Sequence, residues 1–561
     1  MKKLIFTVLT VLCLLLTFFL REWNVHVIAS PSTLTVGQGA QFTTIQSAIN
    51  NASSGDTVLV LDGIYYENLV INKSVSLVGE SIESTIIDGN RTDNVISITT
   101  SNVYLTGFTI RRSRSSEGYS GIHVEYSSGN IITNNKVMDN YHGISVVSSN
   151  GNVVSDNTIV SSSLTAIRLF SSDDNVVYGN IISTSYGGIR LYSSIRNEIS
   201  NNTISRCLQG IILLVSRVNV ISDNFLYSIT GDGIYFSSSD DNVVYGNIIS
   251  ASYSGIYLWV SGRNVVSGNT IANNYRGIAL ELSGNNSIYH NNLGENYFNN
   301  TEVKGDLANF WDYNGEGNYW SDYVVQDSNE DGIGDSPYII NVNNRDNNPL
   351  MGLFSDFHVA FKNKIYSATV VSNSSVFGVS FEIGSETGNK IMRLDARGAD
   401  GTVGFCRITI PTVLMNYPYF LLIGSDMIFP SLIGNSNETQ ACLYFTYQHN
   451  THNISIVSSE TWRLYSELLD SYLKLQTDFY DLNITYYNML SSILANYSLL
   501  LANYSQLEES YQNLNSSYQE HLLDYSQQIE NLRNLMYIFA ATAAIFVAST
   551  VYLSKRAHAR S

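Results

Sequence analysis

Isoleucine and valine recur through the middle of the chain with a period of 22 or 23 residues. The repeating units begin at Gly121, Gly143, Ala166, Gly188, Gly210, Gly233, Gly255 and Gly277. Each unit has three short β-branched stretches that alternate apolar and polar positions, which predicts three short strands. Each strand should pair in parallel with its equivalent one unit later. The pattern therefore predicts a parallel β-helix with coils about 4.8 Å apart, right-handed because parallel crossovers prefer that hand.

Two columns of asparagine appear when the units are aligned. The first contains Asn130, Asn152, Asn175, Asn197, Asn219, Asn242, Asn264 and Asn286. The second contains Asn135, Asn157, Asn180, Asn202, Asn224, Asn247, Asn269 and Asn291. Asparagine tolerates left-handed backbone angles, so both columns are expected at coil corners, where stacked amides can form ladders. Leucine-rich repeats share the period, but they need a leucine framework that is missing here.

The segment before the repeats and the segment after them carry family-specific motifs. These are Thr44-Ile45-Gln46, the run from Gly55 to Glu67, Asn309-Phe310-Trp311-Asp312 and the run from Gly317 to Tyr338. With the Asn-x-Ile units, they closely resemble pectin-lyase-like β-helices of the NosD-like and carbohydrate-binding and sugar-hydrolase (CASH) group, over residues 38–350. The resemblance implies a capping helix at about 42–52. NosD is linked with copper delivery, but the His and Met residues here are scattered, so we expect no copper site.

Outward positions of the first strand in each unit carry aromatic and basic residues. The predicted carbohydrate-binding residues are Arg168, Phe170, Arg190, Tyr192, Tyr235, Tyr257 and Trp259. Aromatic faces pack on sugar rings, and stacked arginines attract a carboxylate such as that of a uronic acid. The alternative is a solvated sheet with ordinary aromatic ladders.

No catalytic set is evident from the sequence. Asp173-Asp174 and Asp240-Asp241 resemble paired catalytic carboxylates, but they recur in identical strings three units apart, which favours turn chemistry. His123 near Glu125 is a further pair. Polygalacturonase-type motifs are absent. A protein that is not an enzyme is therefore favoured, and a polysaccharide lyase or glycoside hydrolase acting at the middle coils is the alternative.

One oxygen-rich loop is a candidate Ca²⁺ site. It places Asp327, Asn329, Asp331, Ile333 and Asp335 at positions 1, 3, 5, 7 and 9 of an EF-hand-type loop, with glycine at position 6. Tyr338 replaces the bidentate acid at position 12. The alternative is an Asp/Gly-rich turn without a metal.

The remainder of the chain predicts a small β-sandwich over 351–460 and a helical coiled-coil stalk over 461–533. Cys406 and Cys442 can form a disulfide within the sandwich. Tyrosine every seven residues, with leucine offset by three, predicts the stalk, which would reach about 110 Å as one helix. A helix folded back on the sandwich is the alternative, and the seam suggests a homo-oligomer.

The two ends of the chain predict export and membrane anchoring. Residues 1–29 resemble a signal peptide, 535–553 form an apolar run long enough to span a bilayer, and basic residues in 554–561 place that tail in the cytoplasm. Asn-x-Ser/Thr sequons permit glycosylation. The net charge of -18 argues against nucleic-acid partners.

The leading hypothesis is a membrane-anchored extracellular β-helix protein that binds a polysaccharide or cell-surface glycan. The second alternative, which is not an enzyme, is a structural or adhesive surface protein without a ligand groove.

Overall fold

The computed structural model describes residues 31–424, 426–434, 436–494 and 501–557. The predicted signal peptide (1–29) and the last four residues of the predicted tail lie outside the described residues. The chain divides into two compact units, Met1–Glu460 and Thr461–Ser561.

Three parallel sheets form the β-helix. The strands of sheet 1 are Thr33–Val36, Thr57–Val60, Ser76–Gly79, Tyr104–Thr106, Ile131–Thr133, Val153–Ser155, Val176–Tyr178, Glu198–Ser200, Val220–Ser222, Val243–Tyr245, Val265–Ser267 and Ser287–Tyr289. The strands of sheet 2 are Leu69–Ile71, Ile96–Ile98, Ser120–Glu125, His142–Val147, Thr165–Phe170, Gly187–Tyr192, Gln209–Leu214, Asp232–Ser237, Ser254–Trp259, Arg276–Glu281 and Asn299–Lys304. The strands of sheet 3 are Gly63–Tyr65, Thr85–Asp88, Thr109–Arg111, Lys136–Met138, Thr158–Val160, Ile181–Ser183, Thr203–Ser205, Phe225–Tyr227, Ile248–Ser250, Thr270–Ala272, Asn292–Gly294 and Tyr319–Trp320.

Equivalent positions of successive units lie beside each other in every sheet. Ile189 pairs with Ile211 in sheet 2, and Ile182 pairs with Ile204 in sheet 3. These side chains and their equivalents are fully buried and form one continuous core. The predicted parallel β-helix is confirmed.

Both asparagine columns form buried hydrogen-bonded ladders. The Oδ1 of Asn202 accepts the backbone N–H and the Nδ2 of Asn180, both at 3.0 Å, and the Nδ2 of Asn202 donates to the Oδ1 of Asn224 at 3.0 Å. Every rung donates in the same direction, so the last rung needs an acceptor. The second ladder ends on the carboxylate of Asp346, which accepts the backbone N–H of Asn318 at 2.7 Å.

A short helix, Ile45–Asn51, covers the first coils as predicted. Ile45, Ala48 and Ile49 are buried against the coil interior. The carboxylate of Glu67 accepts the backbone N–H groups of Ile45 at 2.8 Å and Gln46 at 2.9 Å. The first N–H groups of a helix have no acceptor within the helix, and Glu67 supplies acceptors for two of them here.

Beyond the last coil, a hairpin of Tyr338–Asn341 and Asn344–Asp346 leads into two antiparallel sheets of five strands. The strands of sheet 4 are Leu353–Phe361, Lys364–Ser372, Val403–Pro411, Gln440–Gln448 and Ser431–Leu432. The strands of sheet 5 are Ser375–Ile383, Lys390–Arg397, Thr451–Ser458, Tyr419–Ile423 and Asp426–Ile428. The two sheets enclose a separate apolar core, as in a β-sandwich.

The predicted disulfide between Cys406 and Cys442 is absent, and both thiols are free and buried. Cys406 belongs to the sandwich core between the two sheets. Cys442 follows the core residue Ala441, so it points to the opposite face of the same sheet, where it contacts Thr409. Successive side chains of a strand alternate between the two faces, so these two thiols cannot meet.

The second unit contains two helices, Glu460–Leu494 and Leu501–Ala557. The rings of Phe479 and Tyr518 stack at 5.8 Å, and Met489 and Leu507 line one apolar cleft, so the helices run antiparallel. The prediction of one continuous stalk over 461–533 is therefore wrong. The heptad pattern lies chiefly in the second helix. The first helix has apolar side chains of its own, which contact the second helix within the same chain.

In the part of the chain that the structure describes, no helix is long and apolar enough to cross a membrane. The predicted span at 535–553 falls in the second long helix, where several side chains lie outside the described residues. Membrane anchoring therefore stays a prediction from the sequence, as does the homo-oligomer.

Replacing Asn202 by alanine should destabilise the β-helix by about 3 kcal/mol, because it leaves the buried N–H groups of Asn180 without an acceptor. Thr203→Ala changes a partly exposed side chain on the next strand and should shift the free energy of unfolding by less than about 0.5 kcal/mol. Urea unfolding of both variants checks this. Equal effects would contradict the ladder account.

Candidate functional site

Sheet 2 presents three outward positions in each six-residue strand. The second residue is glycine in most strands and faces inward; a Cβ on Gly188 would lie 2.6 Å from the Gly210 carbonyl oxygen of the next coil. The first, fourth and sixth residues therefore face outward. The first column contains Ser120, His142, Thr165, Gly187, Gln209, Asp232, Ser254, Arg276 and Asn299. The fourth-residue column contains His123, Ser145, Arg168, Arg190, Ile212, Tyr235, Tyr257, Ala279 and Glu302. The sixth-residue column contains Glu125, Val147, Phe170, Tyr192, Leu214, Ser237, Trp259, Glu281 and Lys304. We call this face the groove sheet.

All seven predicted carbohydrate-binding residues lie on the groove sheet, in two groups. Arg168 pairs with Arg190 and Phe170 with Tyr192 across adjacent strands. Tyr235 pairs with Tyr257 three coils further on, and Trp259 lies in the same strand as Tyr257. Ile212 and Leu214 separate the two groups. The sequence therefore located the face, while the structure divides it into a basic half and an aromatic half. Whether these residues bind sugar stays a prediction.

The basic half contains two half-buried arginines without an acidic partner. Neither Arg168 nor Arg190 forms an ion pair with a carboxylate in the described part of the chain. The Arg168 guanidinium lies over the ring of Phe170, with 4.8 Å between Cζ and the ring centroid. Burial and then the neighbouring Arg190 lower the pKa of Arg168, while Glu117 opposes this from longer range. This half of the face is thus an uncompensated positive region.

Two of the aromatic side chains, Tyr192 and Trp259, expose ring faces, whereas the other rings are partly buried. Phe170 and Tyr192 stack with ring centroids 5.1 Å apart and planes 4° from parallel, and Tyr192 is 39% exposed. In the second group, Tyr235 and Tyr257 lie 5.5 Å apart, and Trp259 is also 39% exposed. Such faces suit the apolar faces of sugar rings.

The first column contains functional groups that the sequence analysis missed. Arg276 donates to Glu302 at 2.6 Å and to Ser254 at 2.9 Å, and its guanidinium lies 4.8 Å from the ring centroid of Tyr253. Arg276 is therefore neutralised, in contrast to Arg168 and Arg190. In most of these strands a polar residue stands immediately before the glycine. Strict alternation along the strand would point its side chain inward, so its outward position was not predicted from the sequence.

Four polar atoms in the first two six-residue coils are buried and have no hydrogen-bond partner within the described residues. They are the Oγ of Ser120, the Nδ1 of His123, the Nδ1 of His142 and the Oγ of Ser145. Burial lowers the pKa of His123, and burial with the nearby Arg168 lowers that of His142 to about 4. Both imidazoles are thus kept neutral at neutral pH. His123 Nε2 lies 3.7 Å from Glu125 Oε2, too far for a hydrogen bond.

The paired aspartates occupy coil corners away from the groove sheet. Arg196 pairs with Asp174 at 2.8 Å. Arg263 pairs with Asp241 at 2.8 Å and with Asp240 at 3.0 Å. The repeated Ser-Asp-Asp-Asn string thus supplies corner ion pairs to the next coil.

The Asp-rich loop is closed by bonds to its own backbone. Asp327 accepts the N–H groups of Asp331 at 3.1 Å and Gly332 at 2.8 Å, and Gly332 has a φ of 81°. Asp335 accepts the N–H of Ser328 at 2.8 Å. Burial raises the pKa of Asp327, and the carboxylates of Asp331 and Asp335 add to the increase. The loop therefore concentrates negative charge, and Ca²⁺ binding at Asn329 and the Ile333 carbonyl stays a prediction.

The same loop lies where sheet 4 meets the last coils. Arg407 of sheet 4 donates to the Asp331 carbonyl at 2.7 Å and pairs with Glu316 at 2.7 Å. Glu316 in turn lies 2.9 Å from His290, whose ring stacks on Phe354 at 4.1 Å. Buried polar and aromatic contacts thus fix the sandwich on the end of the β-helix.

The coils and their outward-facing columns define a parallel β-helix with one broad face on sheet 2. A family model described as "Periplasmic copper-binding protein (NosD)" matches residues 49–214 and 196–325. The β-helical part of this chain is therefore NosD-like. No curated protein sequence matches the chain.

Several solved structures are similar to parts of this chain at low identity. The Dettilon tailspike protein is 15% identical, with 74% of this chain and 89% of that chain covered and a TM-score of 0.42. The A-module of mannuronan C-5 epimerase AlgE4 from Azotobacter vinelandii is 16% identical, with 47% and 91% covered and a TM-score of 0.39. DFA-IIIase from Arthrobacter chlorophenolicus A6 without its lid is 11% identical, with 53% and 96% covered and a TM-score of 0.43.

Copper is the metal named in the family description. Among the described residues, no group of three or more His, Cys, Asp or Glu side chains is placed to hold a metal ion. The three described cysteines are buried apart from one another, Cys207 in the coil core and the other two on opposite faces of sheet 4.

Stability should fall as the pH falls from 6.5 towards 4, because the unfolded chain then protonates His142 while the folded chain, with its pKa near 4, does not. His142→Gln should remove roughly 3 kcal/mol of this pH dependence. Urea unfolding at pH 7, 5.5 and 4 measures it. His358→Gln, at an exposed histidine, is the control and should leave the pH dependence unchanged; an unchanged slope in His142→Gln would contradict the burial argument.

Proposed function

We propose that this protein binds carbohydrate through the groove sheet. The observation that supports this most is that stacked aromatic rings, with Tyr192 exposed, lie on one continuous face beside two partly buried arginines that form no ion pair. Two arginines at paired positions repel each other, which costs stability unless a bound anion offsets the repulsion. The two halves together extend from the strand Thr165–Phe170 to the strand Ser254–Trp259, which suits a chain of sugars better than a single small molecule.

We also propose that the protein is exported and anchored by the apolar segment 535–553, with the glycan-binding coils outside the cell. The support is the sequence alone: an apolar run followed by Lys555, Arg556 and Arg560. In this arrangement the groove sheet faces the cell's own envelope glycans or an external polymer.

Trp259→Ala and Tyr192→Ala should each weaken glycan binding about tenfold, which corresponds to about 1.4 kcal/mol of lost ring stacking. Tyr245→Ala and Tyr178→Ala are matched controls, because these tyrosines are 40% exposed but lie on sheet 1. A glycan array with the full chain, followed by titration of the best ligand, measures the effect. No binding to any glycan, or equal losses in the controls, would contradict the proposed function.

We propose a structural Ca²⁺ in the loop that contains Asp327, Asp331 and Asp335. A Ca²⁺ ion bound by oxygen atoms of this loop should stabilise the junction with sheet 4, because Arg407 binds the same loop. Millimolar Ca²⁺ should raise the melting temperature of the wild-type chain relative to EGTA, and Asp331→Asn should abolish the increase. Asp356→Asn, on sheet 4 away from the loop, is the control. Equal melting temperatures in Ca²⁺ and EGTA would remove the proposal.

A further inference from the structure

Arg168 and Arg190 are the arginines of the coils that are partly buried and yet form no ion pair among the described residues. Arg111 and Arg112 pair with Asp88, Arg196 with Asp174, Arg263 with Asp240 and Asp241, and Arg276 with Glu302. Arg91, Arg114, Arg206 and Arg217 also form no ion pair in this part of the chain, but their side chains are exposed to solvent. The chain has 48 acidic and 30 basic residues, so carboxylates are abundant. Two adjacent arginines without one are therefore a local exception that calls for a ligand-based explanation.

The two guanidinium groups come from directly paired positions of neighbouring strands. Neighbouring strands lie about 4.8 Å apart, so the like charges repel unless an anion sits between or above them. A guanidinium offers a planar fork of N–H donors, which matches a carboxylate or a sulfate oxygen pair. The geometry is thus a two-armed clamp for one anionic group.

The buried polar cluster adjoins this clamp. Ser145 lies between His123 and Arg168 in the same column, paired with each across the sheet. His142 is 2% exposed and Ser145 is 1% exposed, yet the Nδ1 of His142 and the Oγ of Ser145 have no partner among the described residues. Buried polar atoms normally have a partner, so these two atoms are unsatisfied hydrogen-bonding capacity next to the clamp.

The stacked rings of Phe170 and Tyr192 complete the site on its other side. They lie two residues beyond the clamp in the same two strands. An anion clamp, neutral hydrogen-bonding atoms and a flat apolar face are together the three kinds of contact that an acidic sugar can use at once.

We propose that the basic half of the groove sheet is a subsite for an acidic sugar, whose carboxylate or sulfate lies in the Arg168–Arg190 clamp and whose ring packs on Phe170 and Tyr192. The unsatisfied Ser145 and His142 atoms lie next to this subsite, where a shift of the covering side chains would let sugar hydroxyl groups reach them. This inference rests on the proposed carbohydrate binding and adds the chemical class of the ligand. The aromatic half, where Arg276 is already neutralised, takes neutral sugars.

The test compares binding of the full chain to four polymers: polygalacturonate, its carboxyl-reduced form, dextran sulfate and dextran. Wild-type protein should bind polygalacturonate or dextran sulfate at least tenfold more tightly than the matching neutral polymer, and the stronger of the two distinguishes a carboxylate from a sulfate. Arg190→Gln should weaken binding to that acidic polymer at least tenfold, because it removes one of the two guanidinium groups of the clamp.

Arg196→Gln is the matched control, because it removes the same charge from a corner ion pair outside the groove. Arg190→Lys keeps the charge but not the planar fork, and should recover only part of the affinity. Equal affinity for acidic and neutral polymers, or equal losses in Arg190→Gln and Arg196→Gln, would overturn the acidic-sugar subsite. If neutral glycans still bind and Trp259→Ala weakens them, the proposed function survives that failure; if no polymer and no array glycan binds, both fail.

Discussion

In-register stacking of equivalent residues is the constraint on which the rest of this structure depends. Each buried asparagine accepts from the coil before it and donates to the coil after it, so a slip of one residue would leave several buried donors unsatisfied at once. The ladder therefore fixes the register more tightly than apolar packing can. The direction of donation also explains why the second ladder ends on the carboxylate of Asp346, because a carboxylate accepts hydrogen bonds and has no donor to satisfy.

The same constraint creates the functional face. Because the register is fixed, side chains that are 22 residues apart in sequence become neighbours about 4.8 Å apart in space. Pairs such as Phe170 with Tyr192 are consequences of that spacing, and their stacking requires no further element of structure. The chemistry of the face can thus vary from coil to coil while the scaffold stays constant. In this protein the face carries two arginines without ion pairs on one side of Ile212 and Leu214, and the second group of aromatic rings on the other side.

The sequence predicted the coil well because its period is visible in the apolar and asparagine columns. It predicted the outward residues of the fourth and sixth columns for the same reason. The first column, with His142 and Arg276, was missed because inward-facing glycines such as Gly188 break the simple alternation. The disulfide prediction was wrong because successive side chains of a strand point to opposite faces, which places Cys406 and Cys442 on opposite faces of sheet 4. The prediction of one continuous stalk was wrong because a heptad pattern predicts that a helix packs against another helix but does not identify that helix. Here the partner is the preceding helix of the same chain.

The central claim is that register partners in successive coils lie side by side on the outer surface. Cysteines introduced at Thr158 and Ile181, which are paired on sheet 3, test it directly. A thiol reagent that fluoresces only after joining two close cysteines should label this pair, and should not label cysteines at Thr158 and Phe225, which lie three coils apart. Labelling of the distant pair, or failure of the adjacent pair while the chain remains folded by circular dichroism, would contradict the account.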